Sequence, residues 1–256
     1  MKKLRITVVG ALGRMGQILC KKIINNPQLK LQSITDKTMS RIYNLQTQKN
    51  SIKAITDTDV IIDFSKPKSS MEILNFAKKI KKKVIIGTTG FTEKEENKIK
   101  NTSKEIAIFK AGNMSLGINL LEYITYILSK KLPNYYQIGI SDNHHKAKID
   151  YPSGTALMLA NAVAKGKGKN LDKLKGKIFL NKKGNLQKNR INFFITRKGG
   201  TVGKHSINFR NNIENIELKH NAFSRELFAD GAINAALWIS KKKVGLYNMQ
   251  DMLRLK

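Results

Sequence analysis

The sequence predicts an α/β protein with two parts: a Rossmann-type domain built on a doubly wound parallel sheet, and a smaller α+β domain with a mixed sheet. Three observations predict this. Short apolar runs alternate with helical patterns up to about residue 110, and a glycine-rich loop follows the first run. Beyond Asn113, apolar and polar residues alternate, which is typical of strands with one wet face.

The first half of the chain consists of repeated β-α units. Predicted strands lie at 4–9, 29–36, 60–64, 84–87 and 106–109. Helical patterns run from about Met15 to Ile24 and around residues 71–80, and Thr92 with Glu95 has the spacing of a capping box. Units of this length predict a parallel sheet with helices on both faces.

The second half begins with a long amphipathic segment, MSLGINLLEYITYILSKKL, followed by the strand-like YYQIGIS. The lysine- and glycine-rich residues 165–189 are expected to form an exposed connection with room for one strand. INFFITR, HSINFR and IENIELKH are predicted strands. The segment SRELFADGAINAALWISKKK is a predicted helix, and we expect its last-turn lysines to complement the helix dipole.

The composition is that of a globular protein, with 41% hydrophobic and 26% charged residues in 256. No apolar run is long enough to span a membrane, and the N-terminus turns glycine-rich too early for a secretory signal. Cys20 has no second cysteine to pair with and is expected to be a small buried hydrophobe. These features predict a cytoplasmic protein with no membrane partner.

The formal net charge of +30 raises the alternative of a nucleic-acid-binding protein. Lysine greatly outnumbers arginine, however, whereas base readout and bidentate phosphate contacts favour arginine. The lysines are also scattered along the chain rather than gathered in one stripe. We therefore expect no specific nucleic-acid partner.

The loop GALGRMG places Gly10, Gly13 and Gly16 between a predicted strand and a predicted helix. Glycines there permit a tight turn and let the backbone approach a pyrophosphate, while the helix N-terminus offers N–H groups to it. Asp36 ends the second strand, where an acid can bind a ribose 2′-hydroxyl. Lys37 beside it suits a 2′-phosphate instead, so NADH and NADPH both stay open.

Two further loops, GTTGF at 87–91 and AGNMS at 111–115, each follow a predicted strand. In open α/β sheets, ligands settle at the carboxyl ends of the parallel strands. These loops are therefore candidate cofactor contacts, although an ordinary connecting loop would look similar.

The stretch HHKAKIDYPSGTA at 144–156 combines histidines, lysines and a turn before the apolar run ALMLANAVA. Ser153 or Thr155 can cap the helix that this run predicts, which puts the N–H groups of Gly154 and Thr155 at its positive end. Such a site suits a carboxylate or phosphate, and histidine exchanges protons near neutral pH. The alternative is a solvated loop with incidental histidines. No metal is expected, because adjacent histidines lack good chelating spacing.

With these motifs, the chain resembles the 4-hydroxy-tetrahydrodipicolinate reductase (dihydrodipicolinate reductase) family of bacterial lysine and diaminopimelate biosynthesis. The resemblance covers nearly the whole chain. It rests on GALGRMG at 10–16, DFSKP at 63–67, GTTGF at 87–91, AGNMSLGIN at 111–119 and, above all, HHKAKIDYPSGTA at 144–156. It implies reduction of a cyclic imine dicarboxylate by NADH or NADPH.

The resemblance also implies residue roles. His144 would be the general acid, and Lys148 would assist the proton transfer and pair with a carboxylate. His145, Gly154 and Thr155 would hold the substrate carboxylates. The implied cofactor contacts are Gly10, Ala11, Leu12, Gly13, Arg14, Met15, Asp36, Lys37, Gly87, Thr88, Thr89, Ala111, Gly112, Asn113 and Met114.

The family further implies a dinucleotide-binding domain at 1–113 and 223–256, a substrate-binding and oligomerisation domain at 114–222, and a homotetramer. The chain departs from the family where Asp142 and Asn143 replace the usual Glu-Ala before the histidines, in GGTVGKH at 199–205, and around 170–195. Two other functions remain as alternatives: another two-domain NAD(P)-dependent dehydrogenase of a small carboxylate, and an inactive basic polyanion-binding homologue.

Overall fold

The computed structural model describes residues 2–255 and confirms the predicted fold class. The first half of the chain forms these elements: β1 (Leu4–Val9), α1 (Arg14–Ile24), β2 (Leu29–Thr35), β3 (Arg41–Ile42), β4 (Leu45–Gln46), α2 (Ile52–Ile55), β5 (Val60–Asp63), α3 (Pro67–Lys79), β6 (Lys83–Ile86), α4 (Glu93–Thr102) and β7 (Ala107–Lys110). Each predicted strand of this half is confirmed to within one residue at either end. The hairpin of β3 and β4 and the short helix α2 were not predicted.

The second half forms these elements: α5 (Leu116–Lys131), β8 (Gln137–His144), α6 (Gly154–Gly166), α7 (Leu171–Leu174), β9 (Lys175–Leu180), β10 (Ile191–Arg197), β11 (Gly203–Arg210), β12 (Asn215–Ala222), α8 (Glu226–Ile239), β13 (Gly245–Tyr247) and α9 (Met249–Leu253). The strands predicted in INFFITR, HSINFR and IENIELKH are confirmed as β10, β11 and β12. The connection at 165–189 contains β9 and the end of α6.

The first sheet is parallel, with strand order β13-β7-β6-β5-β1-β2. Along each strand, apolar side chains point alternately to the two faces of the sheet. On one face, Ile62 and Ile85 pack with α1 and α8, and on the other, Ile61 and Ile86 pack with α3 and α4. This parallel core aligns the carboxyl ends of neighbouring strands. β13, which was not predicted, extends the sheet beyond β7.

The second sheet has strand order β12-β11-β8-β10-β9. β8 runs parallel to β10 and antiparallel to β11, so the sheet is mixed, as predicted. The β8–β10 register places His144 opposite Arg197, and the β8–β11 register places Asp142 opposite His205. Helices α5 and α6 pack together with this sheet around Ile140, Phe193 and Leu159.

The chain divides into two compact units. One contains residues 2–115 and 225–254, and the other contains residues 116–224. Among residues 2–255, no helix is both long and apolar enough to cross a membrane. Cys20 is a buried free cysteine, and burial raises the pKa of its thiol to about 12, which fits the inert packing role that we expected.

Two helix ends test the local predictions. The capping box is confirmed: Thr92 N–H donates to Glu95 Oε2 at 2.8 Å, and Glu95 N–H donates to Thr92 Oγ1 at 3.3 Å. The expectation for the end of α8 was wrong, because the helix ends at Ile239, before the lysines at 241–243. Lys83 of β6 binds the carbonyls at this helix end instead, and its Nζ donates to Ser240 O at 2.6 Å.

Candidate active site

The glycine loop lies between β1 and α1, where the sequence predicts it. Gly10 has a φ of +77°, and a Cβ atom there would lie 2.7 Å from Phe64 O. A Cβ atom on Gly16 would lie 2.1 Å from Gly10 O. Side chains at either position would collide with backbone, so the tight turn and the close entry of α1 both require glycine.

The same loop is tied to the end of β2. Thr35 O accepts hydrogen bonds from Gly10 N–H at 2.9 Å and from Ala11 N–H at 3.1 Å. Asp36 Oδ2 accepts one from Leu12 N–H at 3.0 Å, and Asp36 Oδ1 accepts one from Lys37 N–H at 2.8 Å. The half-buried Asp36 carboxylate is therefore fixed beside the loop, as a ribose-binding acid must be.

The first turn of α1 suits an anionic group. Gly13 is its N-cap, and within residues 2–255 no side chain caps the helix there. Arg14 and Met15 occupy the first helical positions, so their N–H groups lie at the positive end of the helix. A backbone cradle with no competing side chain fits the pyrophosphate of a dinucleotide.

The other predicted cofactor contacts lie in loops that follow neighbouring strands of the same sheet. Gly87, Thr88 and Thr89 follow β6, and residues 111–114 follow β7. Because β7, β6, β5, β1 and β2 are neighbours in one parallel sheet, these loops lie at one edge of it. The carboxyl end of β5 lies between them and was given no role in the sequence prediction.

Asp63 lies at the carboxyl end of β5 and is fully buried. Its Oδ1 accepts hydrogen bonds from Ser65 N–H at 3.0 Å and from Ser65 Oγ at 2.5 Å, and Ser65 N–H also reaches Thr88 Oγ1 at 3.0 Å. Burial raises the pKa of Asp63 to about 6, against hydrogen bonds that favour the charged form. Asp63 thus anchors the turn that faces the glycine loop.

In the second unit, His144 is the last residue of β8, and its ring is 10% exposed. His144 Nδ1 lies 2.7 Å from Asp142 Oδ1. Residues i and i+2 of a strand share a face, so this pair is built by the strand itself. The adjacent His145 follows the strand, and its N–H donates to Thr201 O at 2.9 Å.

Asp142 links the strand to the start of α6. Its Oδ2 accepts a hydrogen bond from Ser153 N–H at 2.7 Å. Ser153 is the N-cap of α6, and its Oγ accepts a hydrogen bond from Ala156 N–H at 3.2 Å. The predicted alternative that Ser153 caps the helix is confirmed. Gly154 and Thr155 are consequently the first helical residues, at its positive end.

Arg197, at the end of β10, is the cation beside this carboxylate, and its side chain is 7% exposed. Its Nη2 lies 3.1 Å from Asp142 Oδ2 and donates to Asp150 O at 2.8 Å. Its Nη1 donates to Asp142 O at 3.0 Å. Arg197 therefore fastens the loop at 145–152 to the strand that carries His144.

A third histidine, His205 on β11, completes the cluster. Its Nε2 lies 3.2 Å from Ser153 Oγ and 3.4 Å from Asp142 Oδ1, and its ring meets that of His144 edge-on at 4.9 Å. Burial lowers the pKa of His205, although the Asp142 carboxylate favours the charged ring. His205 is thus a neutral partner in a buried polar network.

Asp142 is the only acid of this cluster, and its charge state follows from its neighbours. Burial raises the pKa of Asp142, but the close contacts with the His144 and His205 rings and the hydrogen bond from Ser153 N–H outweigh burial and hold the pKa well below its usual range. Asp142 is therefore an ionised carboxylate at neutral pH.

Lys148, the second predicted catalytic residue, lies on the loop after β8. Its Nζ contacts both oxygens of Asp150, at 2.7 and 2.8 Å. The Asp150 side chain is 57% exposed and that of Lys148 is 23% exposed, so solvent reaches the carboxylate and weakens the pair. An incoming carboxylate can therefore compete for the Lys148 ammonium group.

Asp142, His144 and His205 also bring ligand atoms within 4.8 Å of one another, as a metal site would. The Arg197 guanidinium already lies on Asp142 Oδ2, and a fixed positive charge there repels a divalent cation. The cluster is better suited to holding and transferring a proton.

The sequence prediction missed Asp142, Arg197 and His205 as members of the site. The i, i+2 spacing of Asp142 and His144 puts both side chains on one face of a strand, but the predicted strand YYQIGIS ended at residue 141, whereas β8 continues to His144. No local signal exists for Arg197 or His205, since only the register of the mixed sheet brings them to His144.

Comparisons with known proteins agree with this architecture. The family profile described as dihydrodipicolinate reductase, N-terminus, matches residues 4–114, and the profile described as dihydrodipicolinate reductase, C-terminus, matches residues 117–253. The chain is 50% identical to the 4-hydroxy-tetrahydrodipicolinate reductase of Pelagibacter ubique (strain HTCC1062), with 100% of both chains covered. It is 40% identical to the enzyme of that name from Buchnera aphidicola subsp. Cinara cedri (strain Cc), covering 98% and 97%.

Among solved structures, the fold is similar to a dipicolinate-bound dihydrodipicolinate reductase from Paenisporosarcina sp. TG-14. The TM-score is 0.79 at 20% identity, with 98% of this chain and 99% of that chain covered. Profiles that match both halves, and full-length relatives at 40–50% identity, leave the assignment unambiguous. The chain belongs to the dihydrodipicolinate reductase family, as its motifs predicted.

Proposed function

We propose that the protein reduces 4-hydroxy-tetrahydrodipicolinate to tetrahydrodipicolinate in lysine and diaminopimelate biosynthesis. Water leaves the substrate, and one hydride and one proton are added. The observation that carries this proposal is the pairing of His144 with Asp142 beside the N-terminus of α6. It combines a proton-exchanging ring with a positive helix end that suits a dicarboxylate.

The cofactor we propose is NADH or NADPH, which supplies the hydride when bound. Gly10 through Met15 would bind the pyrophosphate and Asp36 with Lys37 the adenosine ribose, while Gly87 to Thr89 and Ala111 to Met114 would line the rest of the site. Support comes from the cradle that only glycine permits at Gly10 and Gly16. The fixed Asp36 carboxylate favours a ribose hydroxyl, whereas the exposed Lys37 favours a 2′-phosphate.

In the second unit, His144 would donate the proton to the substrate ring as the general acid. Lys148 would exchange its contact with Asp150 for a substrate carboxylate and assist the proton transfer. His145 and the N–H groups of Gly154 and Thr155 would hold the carboxylates at the start of α6. We propose no metal step, because Arg197 opposes a cation at the buried carboxylate.

The location and assembly belong to the same proposal. A cytoplasmic homotetramer is expected, with residues 114–222 as its substrate-binding and oligomerisation domain and residues 1–113 with 223–256 as its dinucleotide-binding domain. Light scattering after gel filtration tests this: a mass near that of four chains is expected, and a monomer would contradict it.

The direct test of activity mixes the protein with NADH or NADPH and the condensation product of pyruvate and aspartate semialdehyde. We expect loss of the absorbance of the reduced nicotinamide. Turnover of other small carboxylates but not of this imine would indicate another two-domain dehydrogenase. Lack of turnover by folded protein, combined with tight and strongly salt-dependent binding of nucleic acid, would indicate a polyanion-binding homologue instead.

A further inference from the structure

We infer that Asp142 is a positioning residue that fixes the ring tautomer of His144. It holds the proton on Nδ1 and leaves Nε2 as the nitrogen that gives up its proton to the substrate. This inference rests on the proposed role of His144 as the general acid. It assigns a function to a residue that does not itself contact the substrate.

His144 Nδ1 and Asp142 Oδ1 are both buried and lie 2.7 Å apart. Among residues 2–255 neither atom has a hydrogen bond of good geometry, although His205 Nε2 also lies 3.4 Å from Asp142 Oδ1. Asp142 Oδ1 is therefore the acceptor that faces His144 Nδ1, and the attraction between them is electrostatic.

Asp142 is present as the carboxylate. Its other oxygen accepts from Ser153 N–H at 2.7 Å and lies 3.1 Å from Arg197 Nη2. A carboxylate held by a guanidinium and a backbone N–H is ionised, and an ionised carboxylate only accepts hydrogen bonds. The nitrogen that faces it must therefore carry a hydrogen, so Nδ1 is protonated in both charge states of the ring.

The other ring nitrogen, Nε2, lies beside Gly203. A Cβ atom on Gly203 would lie 3.2 Å from His144 Nε2, so the missing side chain keeps the space beside this nitrogen open. Asp142 is thus paired with Nδ1, while the glycine keeps side-chain atoms away from Nε2. In this orientation Nε2 is the nitrogen left to exchange a proton.

Several contacts hold the Asp142 carboxylate in place. Arg197 joins Asp142 to Asp150 O at 2.8 Å, and Asp142 itself joins β8 to the N-cap of α6. The carboxylate cannot rotate away without breaking these contacts. Its orientation is consequently fixed before any substrate arrives, which is the condition for an effective positioning residue.

The tautomer can be measured on the wild-type protein without any substitution. The chain has only four histidines, so spectra of the ¹⁵N-labelled rings at a pH where they are neutral resolve each one. We expect His144 as the Nδ1–H tautomer. Observation of the Nε2–H tautomer would overturn the inference, and this outcome does not depend on any enzymatic activity.

A double-mutant cycle then measures the functional consequence. Asp142→Asn should lower kcat by about 10²-fold, because a His144 ring in the wrong tautomer cannot donate the proton from Nε2. The KM for the imine and the Kd of the cofactor should change little. In a His144→Gln background, the same substitution should have almost no further effect, because the ring that it positions is gone. Asp142→Glu keeps the acceptor and should retain more activity than Asp142→Asn.

Failures of the two proposals are distinguishable. An Asp142→Asn effect that persists undiminished in the His144→Gln background would show a merely structural role and overturn the inference. Wild-type protein that does not reduce the imine would instead refute the proposed function and leave the tautomer measurement standing. If Asp142→Asn fails to fold, the wild-type spectrum and Asp142→Glu still decide the matter.

Discussion

Gly203 lies so close to His144 that a Cβ atom on it would be 3.2 Å from Nε2 of the ring. The backbone of Gly203 is ordinary extended strand, so this position does not need the conformational freedom of glycine. What matters is that glycine has no side chain. The glycine leaves room beside the nitrogen that we assign to proton transfer.

Gly203→Ala should therefore displace the His144 ring by a few tenths of an ångström. We expect kcat to fall by about 10-fold or more, because small misplacements of a catalytic group are costly, while the melting temperature changes little. The matched control is Gly200→Ala, because a Cβ atom there would meet nothing within 4 Å. Equal kcat values for the two variants would refute the assignment.

Asp63→Asn tests the buried carboxyl at the end of β5. Burial raises the pKa of Asp63 to about 6, so the folded protein binds this proton more tightly than the unfolded chain does. Stability is therefore lost as pH rises from about 4 to 6 and stays lower above that. Because one pKa unit corresponds to about 1.4 kcal/mol, the variant should gain up to about 3 kcal/mol at pH 7.5 and less at pH 5.

Thermal unfolding of Asp63→Asn at the two pH values measures this gain. Asparagine retains an oxygen that can accept the hydrogen bonds from Ser65. Asp57→Asn is the control, because Asp57 is an exposed carboxylate in the same unit. A gain that does not grow with pH, or one shared by Asp57→Asn, would show that Asp63 carries no such penalty.

Lys83→Met tests the unexpected cap on α8. The Lys83 Nζ donates to the carbonyls of Ile239, Ser240 and Lys242 at 3.2, 2.6 and 2.9 Å. Removing these donors should destabilise the protein by about 1–3 kcal/mol, the cost of leaving such carbonyls without a charged partner. Lys243→Met, which removes an exposed lysine just beyond the same helix, should have little effect. Equal melting temperatures would contradict the capping role.

The contrast between these sites shows what the sequence can predict. The glycine loop, the capping box and the Ser153 cap were all found, because each is formed by residues a few positions apart whose types dictate the local backbone. Lys83 and Arg197 were missed because their partners lie far along the chain. Only the assembled sheets bring Lys83 to α8 and Arg197 to Asp142.

The same distinction applies to the acids. Asp36 was predicted from its place after the second strand, and the structure fixes it against Leu12 N–H. Asp63 stood inside the motif DFSKP, yet its burial and its bonds to Ser65 depend on how β5 packs between β1 and β6. Sequence patterns were therefore sufficient to locate the loops of the site. The side-chain hydrogen-bond networks could be identified only from the folded structure.

Asp36→Asn tests the proposed cofactor site. The asparagine keeps an oxygen for Leu12 N–H but removes the negative charge that opposes a 2′-phosphate. The ratio of the Kd for NADPH to the Kd for NADH should fall by about 10-fold, since a hydrogen bond to a charged group contributes about 1.5–3 kcal/mol. Titration of both cofactors against both proteins measures it. An unchanged ratio would remove Asp36 from ribose recognition.

The central claim is that His144 delivers the proton in reduction of the cyclic imine. Its most direct test compares kcat of wild-type protein and His144→Gln with the imine and a saturating nicotinamide cofactor. We predict a loss of about 10²- to 10⁴-fold, the usual contribution of a general acid, with cofactor affinity preserved. Near-normal turnover by His144→Gln would contradict the account.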